Sequence, residues 1–121
     1  MSKRALLVGI NEYDNVTPLG ACVADVQAMD ELISFHADQS RNFDTRLLTS
    51  PGKQRVTRAT LRTAWDDLFA GFNGDVLFYF SGHGATTSTG AYLVTQEGSE
   101  GDPGLAMVGL VNLANKSRAG A

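Results

Sequence analysis

The sequence predicts an α/β domain in which a mostly parallel sheet carries helices on both faces. Apolar segments with strand character alternate with segments of helical periodicity, in the order strand, helix, strand, helix, strand. Such alternation is typical of parallel strands joined by helical crossovers, which bury both faces of the sheet. With 121 residues, the chain has the length of one domain, so residues 1–121 are assigned to a single unit.

Four segments are predicted as strands. Ala5 to Ile10 is a continuous apolar run, which suits a strand buried on both faces. Phe43 to Leu48 alternates only in part, and Ala91 to Val94 is short. Asp75 to Phe80 is the strongest strand, because it is rich in aromatic and β-branched residues. Gln96 to Gly104, which is rich in glycine and charge, is predicted to be a surface loop.

The first predicted helix has one apolar face and ends near Asp38 to Ser40. That face is formed by Cys22, Val26, Met29 and Ile33. A second helix has Thr57 or Thr60 as its candidate cap and ends at Gly71 or at Asn73-Gly74. Its apolar residues are Leu61, Trp65, Leu68, Phe69 and Phe72. A short last helix is predicted over Met107 to Ala114.

Composition excludes several classes of protein. A net charge of −3 without any basic run predicts no nucleic-acid partner, and apolar stretches such as Val76 to Phe80 are far too short for a membrane span. Cys22 is the single cysteine, so the chain forms no internal disulfide and no cysteine-based zinc site. We therefore expect a cytoplasmic protein without a signal peptide and without a dedicated metal cofactor.

The segment Ser81-Gly82-His83-Gly84 directly follows the strongest strand, and the small-residue stretch Ser81 to Gly90 is predicted as a loop. In parallel sheets, ligands and catalytic groups gather at the carboxyl ends of strands. Flanking glycines let a substrate backbone approach the His83 imidazole, which is suited to general acid–base chemistry near neutral pH. The alternative is a histidine in a glycine-rich turn with no chemical task.

Four segments in order resemble the caspase and metacaspase family of cysteine peptidases. Residues 5–13, ALLVGINEY, are similar to that family's opening strand and loop. Residues 19–26, LGACVADV, resemble its "L-x-G-C-x-x-D-[AV]" helix start, with an offset of one residue at the glycine. Residues 75–84 match its "D-x-[FLV]-x-F-Y-[FY]-S-G-H-G" strand and histidine loop nearly position for position, and residues 91–94, AYLV, fit the segment that follows. An ordered set of matches is far more specific than one short motif.

The resemblance implies roles for particular residues and a caspase-like three-layer sandwich. His83 falls on the catalytic histidine, and the Gly84 backbone N–H falls on an oxyanion-hole donor. Asp25 and Ser81 fall on positions that line the metacaspase S1 pocket, where a carboxylate pairs with a substrate Arg or Lys. Ala21 stands where caspases carry an arginine for substrate Asp, so the resemblance implies cleavage after basic residues. The competing interpretation is that Asp25 is a helix-terminus acid and Ser81 a turn hydroxyl.

The nucleophile of this family lies in a "D-x-C-x-S-G" segment at the end of the next buried strand. The sequence from Leu113 to Ala121 contains no such segment, so we expect a fold truncated before the nucleophile strand and an isolated chain that is inactive. Cys22 is placed on the apolar side of a helix, where a thiol is usually an inert hydrophobe. We keep it only as a possible auxiliary residue beside His83.

Two main hypotheses about function remain open. The chain is either part of a cysteine endopeptidase whose remaining piece supplies the nucleophile and a partner strand, or an inactive caspase-like module acting through protein–protein contacts. An unrelated α/β domain that binds a small molecule ranks last. Metacaspases often need calcium, but Glu97, Glu100 and Asp102 do not form an oxygen cage by number or spacing, so we expect solvated loop charges there.

Overall fold

A computed structural model describes residues 3–116 of the chain. The strands are β1 (Lys3–Ile10), β2 (Asp44–Ser50), β3 (Asp75–Ser81), β4 (Gly84–Thr87), β5 (Gly90–Ser99) and β6 (Asp102–Ala106). The helices are α1 (Cys22–Ser34), α2 (Arg58–Phe69) and α3 (Met107–Lys116). The predicted alternation of strands and helices is therefore confirmed from β1 to β3.

The larger sheet is parallel and has the strand order β2-β1-β3. Leu7 of β1 stands beside Leu47 of β2 on one side and Tyr79 of β3 on the other. The central position of β1 explains its uninterrupted apolar sequence, because its side chains are buried on both faces of the sheet. Leu6, Leu7, Val8 and Ile10 are each 1% exposed or less, and each such burial stabilises the fold by about 1.5–3 kcal/mol.

Helices cover both faces of this sheet, as predicted. On one face, Val26 of α1 packs with Ala5 and Leu7 of β1. On the other face, Leu61 and Trp65 of α2 join a larger cluster that also contains β1 residues. The Trp65 ring meets Phe78 of β3 edge-on, with ring centroids 4.8 Å apart. Alternate residues of β1 and β3 thus point to opposite layers, which makes a three-layer arrangement.

Helix α1 ends four residues earlier than the sequence predicts, at Ser34. Phe35 has extended backbone angles and forms an isolated antiparallel bridge with Arg41. The Arg41 guanidinium lies 4.8 Å from the centre of the Phe35 ring. A tight turn closed by His36, whose N–H donates to the Ser40 carbonyl at 2.8 Å, replaces the last helical turn. The hydrogen bonds of this turn satisfy backbone groups that a longer helix would otherwise have paired.

Helix α2 begins as predicted and ends before its predicted glycine stop. Thr57 is the N-cap, and its side chain accepts a hydrogen bond from the Thr60 backbone N–H at 3.2 Å. The helix stops at Phe69, so Phe72 lies outside it. Phe72 instead packs against the Arg4 guanidinium, whose Cζ atom lies 4.1 Å from the centre of the Phe72 ring. A cation–π contact therefore holds a residue that periodicity alone had assigned to the helical face.

The sequence did not predict a second sheet, which is antiparallel and has the order β4-β5-β6. The predicted loop Ser81 to Gly90 contains β4, and the predicted short strand Ala91 to Val94 is part of the ten-residue β5. The predicted surface loop Gln96 to Gly104 is wrong, because it forms the end of β5 and the start of β6. Gln96 is buried and pairs twice with Val56: its side-chain oxygen accepts from the Val56 N–H, and its backbone N–H donates to the Val56 carbonyl.

Strand β3 lies at one edge of the parallel sheet and pairs only with β1 within residues 3–116. Its residues from Val76 to Ser81 are half-buried rather than buried. An edge with this apolar composition is a template for another strand. We therefore expect the isolated chain to dimerise, aggregate or take up a partner strand, visible as concentration-dependent sedimentation. A monomer with a sharp, concentration-independent thermal transition would contradict this.

Over the described part of the chain, no helix is long and apolar enough to cross a membrane.

Candidate active site

The candidate active site lies at the carboxyl ends of β1 and β3, where the parallel pairing brings two loops together. The loop after β1 runs over residues 11–21, and the histidine loop follows β3. The end of β1 stands beside the end of β3, with Gly9 opposite Ser81. The predicted position of His83, at the carboxyl edge of the sheet, is therefore where the structure places it.

His83 is held at its backbone and at its ring. Its N–H donates to the Tyr13 hydroxyl at 2.9 Å, and its carbonyl accepts from the Val94 N–H at 3.0 Å. Its ring Nε2 lies 2.7 Å from the Thr17 carbonyl oxygen. Because a carbonyl oxygen only accepts, Nε2 carries the proton in this contact. Nδ1 of the neutral ring is then the nitrogen that is able to take up a proton, as a general base requires.

Tyr13 packs its ring against the His83 ring, with centroids 4.9 Å apart and planes tilted by 59°. Burial raises the pKa of the Tyr13 phenol above its ordinary value, although the hydrogen bond from the His83 N–H partly offsets this effect. The phenol therefore stays protonated and neutral across the physiological pH range. Sequence reasoning gave Tyr13 no role, although its place directly after a buried parallel strand is a signal that could have found it.

Gly82 has a steric reason to be glycine. A Cβ atom at this position would lie 2.6 Å from the Tyr13 hydroxyl oxygen and 2.9 Å from the Phe80 ring. Gly84 is different: it is exposed, opens β4, and a Cβ there would have only an ordinary contact with the Tyr92 carbonyl at 3.8 Å. The open space next to Gly84 leaves its surroundings accessible to a bound chain.

Asp25 and Ser81 form the second half of the site. Asp25 lies in the first turn of α1, and its Oδ2 accepts a hydrogen bond from the Ser81 hydroxyl at 2.8 Å. The two residues are 56 positions apart in the chain, so the fold joins them. Asp25 is solvent-exposed and Ser81 is half-buried. The Asp25 carboxylate therefore faces solvent while it is bonded to Ser81, which lies two residues before His83 in the chain.

Cys22 is buried, with 7% of its surface exposed, at the first position of α1. Its N–H donates to the Asn11 side-chain oxygen at 2.8 Å, which fixes the start of the helix against the loop after β1. A nucleophilic cysteine requires an accessible thiolate, and this thiol packs in the interior instead. The structure thus agrees with the sequence-based view of Cys22 as a buried hydrophobic residue.

Arg58 contacts two of the acidic residues at and near the β5–β6 turn. Glu97 accepts from the Arg58 backbone N–H at 2.9 Å, and Asp102 forms an ion pair with the Arg58 guanidinium. Across residues 3–116, no group of three or more His, Cys, Asp or Glu side chains is arranged to hold a metal ion.

His83 also lines an open cleft of about 430 Å³ between β4 and the loop after β1. Its walls include Asn15, Gly84, Thr86 and Glu100. A cleft of a few hundred Å³ with a small number of convergent polar groups is the usual form of a ligand-binding site. His83 thus lies at the carboxyl edge of the sheet, with the Asp25–Ser81 pair at the same edge and an open cleft beside it.

Comparisons with known proteins identify the family. The family model of the caspase domain matches residues 2–105. Curated relatives include a metacaspase-1 of Scheffersomyces stipitis, 33% identical over 94 residues, and the metacaspase-6 and metacaspase-8 of Arabidopsis thaliana, 36% identical over 87 residues and 33% over 93. These alignments cover 71%, 69% and 74% of this chain. The chain belongs to the caspase-domain family and is a cysteine-peptidase-like module.

The chain spans only a minor part of these relatives. The alignments cover 22% of the Scheffersomyces protein and 24% of each Arabidopsis protein. The family assignment therefore applies to the part of a caspase domain that this chain forms, which contains the parallel sheet and the histidine loop.

Proposed function

We propose that this chain is the histidine-bearing part of a cysteine endopeptidase that hydrolyses peptide bonds after Arg or Lys. The observation that carries the proposal is the Asp25–Ser81 pair, which presents a carboxylate at the same sheet edge as His83. A guanidinium or ammonium group of a substrate side chain pairs favourably with such a carboxylate. Ala21, exposed just before α1, offers no cation for an acidic side chain.

In this mechanism the nucleophile is a cysteine outside the chain. Its thiolate attacks the carbonyl carbon of the scissile bond, and the carbonyl oxygen becomes an oxyanion. The Gly84 N–H is the candidate donor to that oxyanion. His83 Nδ1 takes the proton of the cysteine thiol and gives it to the leaving amine as the C–N bond breaks. Water then hydrolyses the thioester, and its proton passes through His83 to the departing sulfur as the carboxyl product forms. The Thr17 carbonyl would hold the Nε2 proton throughout, so that Nδ1 exchanges protons with the reacting groups.

The first test is the gene sequence beyond Ala121. A buried strand ending in Asp-x-Cys would supply the nucleophile and place it beside β3. Absence of such a segment, in the same gene or in a co-expressed partner, would favour the alternative function, an inactive caspase-like module acting by protein–protein contact. The half-buried open edge of β3 is the observation that favours this alternative, because it can accept a strand without any chemistry.

The specificity has its own test, made in a protein that contains this chain and the nucleophile segment. We expect Asp25→Asn to lower kcat/KM for an Arg reporter peptide about a hundredfold. The bound Arg side chain would cover the Asp25 carboxylate, and loss of one partner of a charge pair that is buried on binding costs about 2–5 kcal/mol. Glu31→Gln is the matched control, because Glu31 is an exposed acid on the same helix. Preference for an Asp reporter, or an unchanged rate in Asp25→Asn, would overturn the assignment of basic specificity.

A further inference from the structure

The loop between β1 and α1 contacts both the backbone and the ring of His83. The Tyr13 hydroxyl accepts the His83 backbone N–H at 2.9 Å, and the Thr17 carbonyl meets the ring Nε2 at 2.7 Å. Tyr13 and Thr17 both lie between β1 and α1, 70 and 66 positions from His83 in the chain. The position and the orientation of the imidazole therefore depend on where this loop lies.

The loop is itself tied to its surroundings. The Asp14 N–H donates to the Gln96 carbonyl of β5 at 2.9 Å, and the Leu19 N–H donates to the Asn11 carbonyl at 2.8 Å. The Asn11 side-chain oxygen also accepts from the N–H groups of Cys22 and Val23, at 2.8 and 3.2 Å. Hydrogen bonds at both ends of the loop make it a fixed support for a side chain that must keep one orientation.

Tyr13 makes two different contacts with His83, and they depend on different parts of its side chain. The ring packs against the imidazole, a contact that phenylalanine would also provide. The hydroxyl accepts the backbone N–H, and no phenylalanine is able to replace it. Gly82 leaves the space that this hydroxyl occupies, since a Cβ there would lie 2.6 Å from the oxygen. The hydroxyl and the glycine are therefore sterically matched.

We propose that Tyr13 is a positioning residue, whose hydroxyl fixes the His83 backbone so that Nε2 faces the Thr17 carbonyl and Nδ1 remains free for proton transfer. The proposal rests on the proposed function of His83 as the proton-transfer group, but the contact that it invokes belongs to this chain alone. Tyr13 acts through His83 and does not itself exchange a proton with a substrate.

The test compares Tyr13→Phe with Tyr79→Phe in the full chain labelled with ¹⁵N, at a concentration where sedimentation shows the same single species for both variants. Tyr79 is a partly buried tyrosine of β3 that packs in the cluster on the opposite face of the sheet, so it matches the chemical change without touching His83. In Tyr13→Phe we expect the His83 backbone N–H to exchange with solvent about five- to tenfold faster, because its acceptor is gone. We also expect the His83 ring ¹⁵N shifts to move towards those of free imidazole.

The exposed His36 serves as an internal reference, since its ring shifts are expected to stay the same in both variants. Unchanged His83 exchange and ring shifts in Tyr13→Phe would overturn the proposal. Faster exchange with unchanged ring shifts would also overturn it, because Tyr13 would then be only structural. Neither measurement needs a nucleophile, so the result stands apart from any outcome of the peptidase assays.

Discussion

In a protein that joins this chain to the nucleophile segment, His83→Ala is expected to lower kcat/KM by about 10³- to 10⁴-fold. The variant removes the group that moves protons between thiol, leaving amine and water, and general acid–base catalysis of this kind contributes about 10²–10⁴-fold. Loss of one member of a nucleophile–base pair also leaves the other without its activating partner. The readout is the initial rate on an Arg reporter peptide, measured with the melting temperature of the same preparation.

His36→Ala is the control for this experiment, because His36 is the only other histidine and lies in the exposed turn after α1. It is expected to keep wild-type activity. His83 is half-buried and has its ring at the protein surface near Thr17, so its removal is expected to change the melting temperature by a few degrees at most. Activity within about tenfold of wild type in His83→Ala would show that another group performs the proton transfer.

Gly9→Ala is expected to destabilise the packing of α1 against β1. A Cβ at this position would lie 2.6 Å from the Cys22 carbonyl oxygen and 2.9 Å from a methyl carbon of Val26. Both atoms belong to α1, which therefore packs against β1 at backbone distance here. The helix has to move away to admit a methyl group, and overpacking of this kind costs about 1–3 kcal/mol, occasionally more.

Thermal and urea unfolding of the full chain measure this effect. We expect Gly9→Ala to lower the melting temperature by about 4–12 °C, since 1 kcal/mol corresponds to about 4 °C for a domain of this size. Gly20→Ala is the matched control, because a Cβ at Gly20 meets nothing within 4 Å. Its stability is expected to stay within about 1 kcal/mol of wild type. Equal stability of the two variants would contradict the close helix–strand approach at Gly9.

The parallel sheet and its helices could be predicted because their signals are local. The apolar run of β1 follows from burial on both faces, and the apolar spacing that begins at Cys22 and Val26 defines the buried face of α1. The capping of α2 by Thr57 was also visible, because a threonine before an apolar periodic segment is a local signal. In each case the neighbours in sequence carry the information.

The second sheet could not be predicted, because its strands are stabilised by distant partners. Gln96 appears polar and exposed in the sequence, yet it is buried by hydrogen bonds to Val56, 40 positions away. Asn15 similarly donates to the Glu97 carbonyl across 82 positions. Glycine and charged residues favour a loop only when no distant partner satisfies their backbone groups.

Some residues of the candidate site also had a local sequence signal, whereas others were found only in the tertiary structure. The sequence by itself determined the family and the placement of His83 after a buried strand, because motif order and strand composition are properties of the chain. It also proposed Asp25 and Ser81, but only the tertiary structure joined them in a hydrogen bond across 56 positions. Tyr13 and the Thr17 carbonyl were settled by the tertiary structure alone. A backbone carbonyl carries no sequence signal, and the hydroxyl of Tyr13 acquires its partner only when parallel pairing brings the ends of β1 and β3 together.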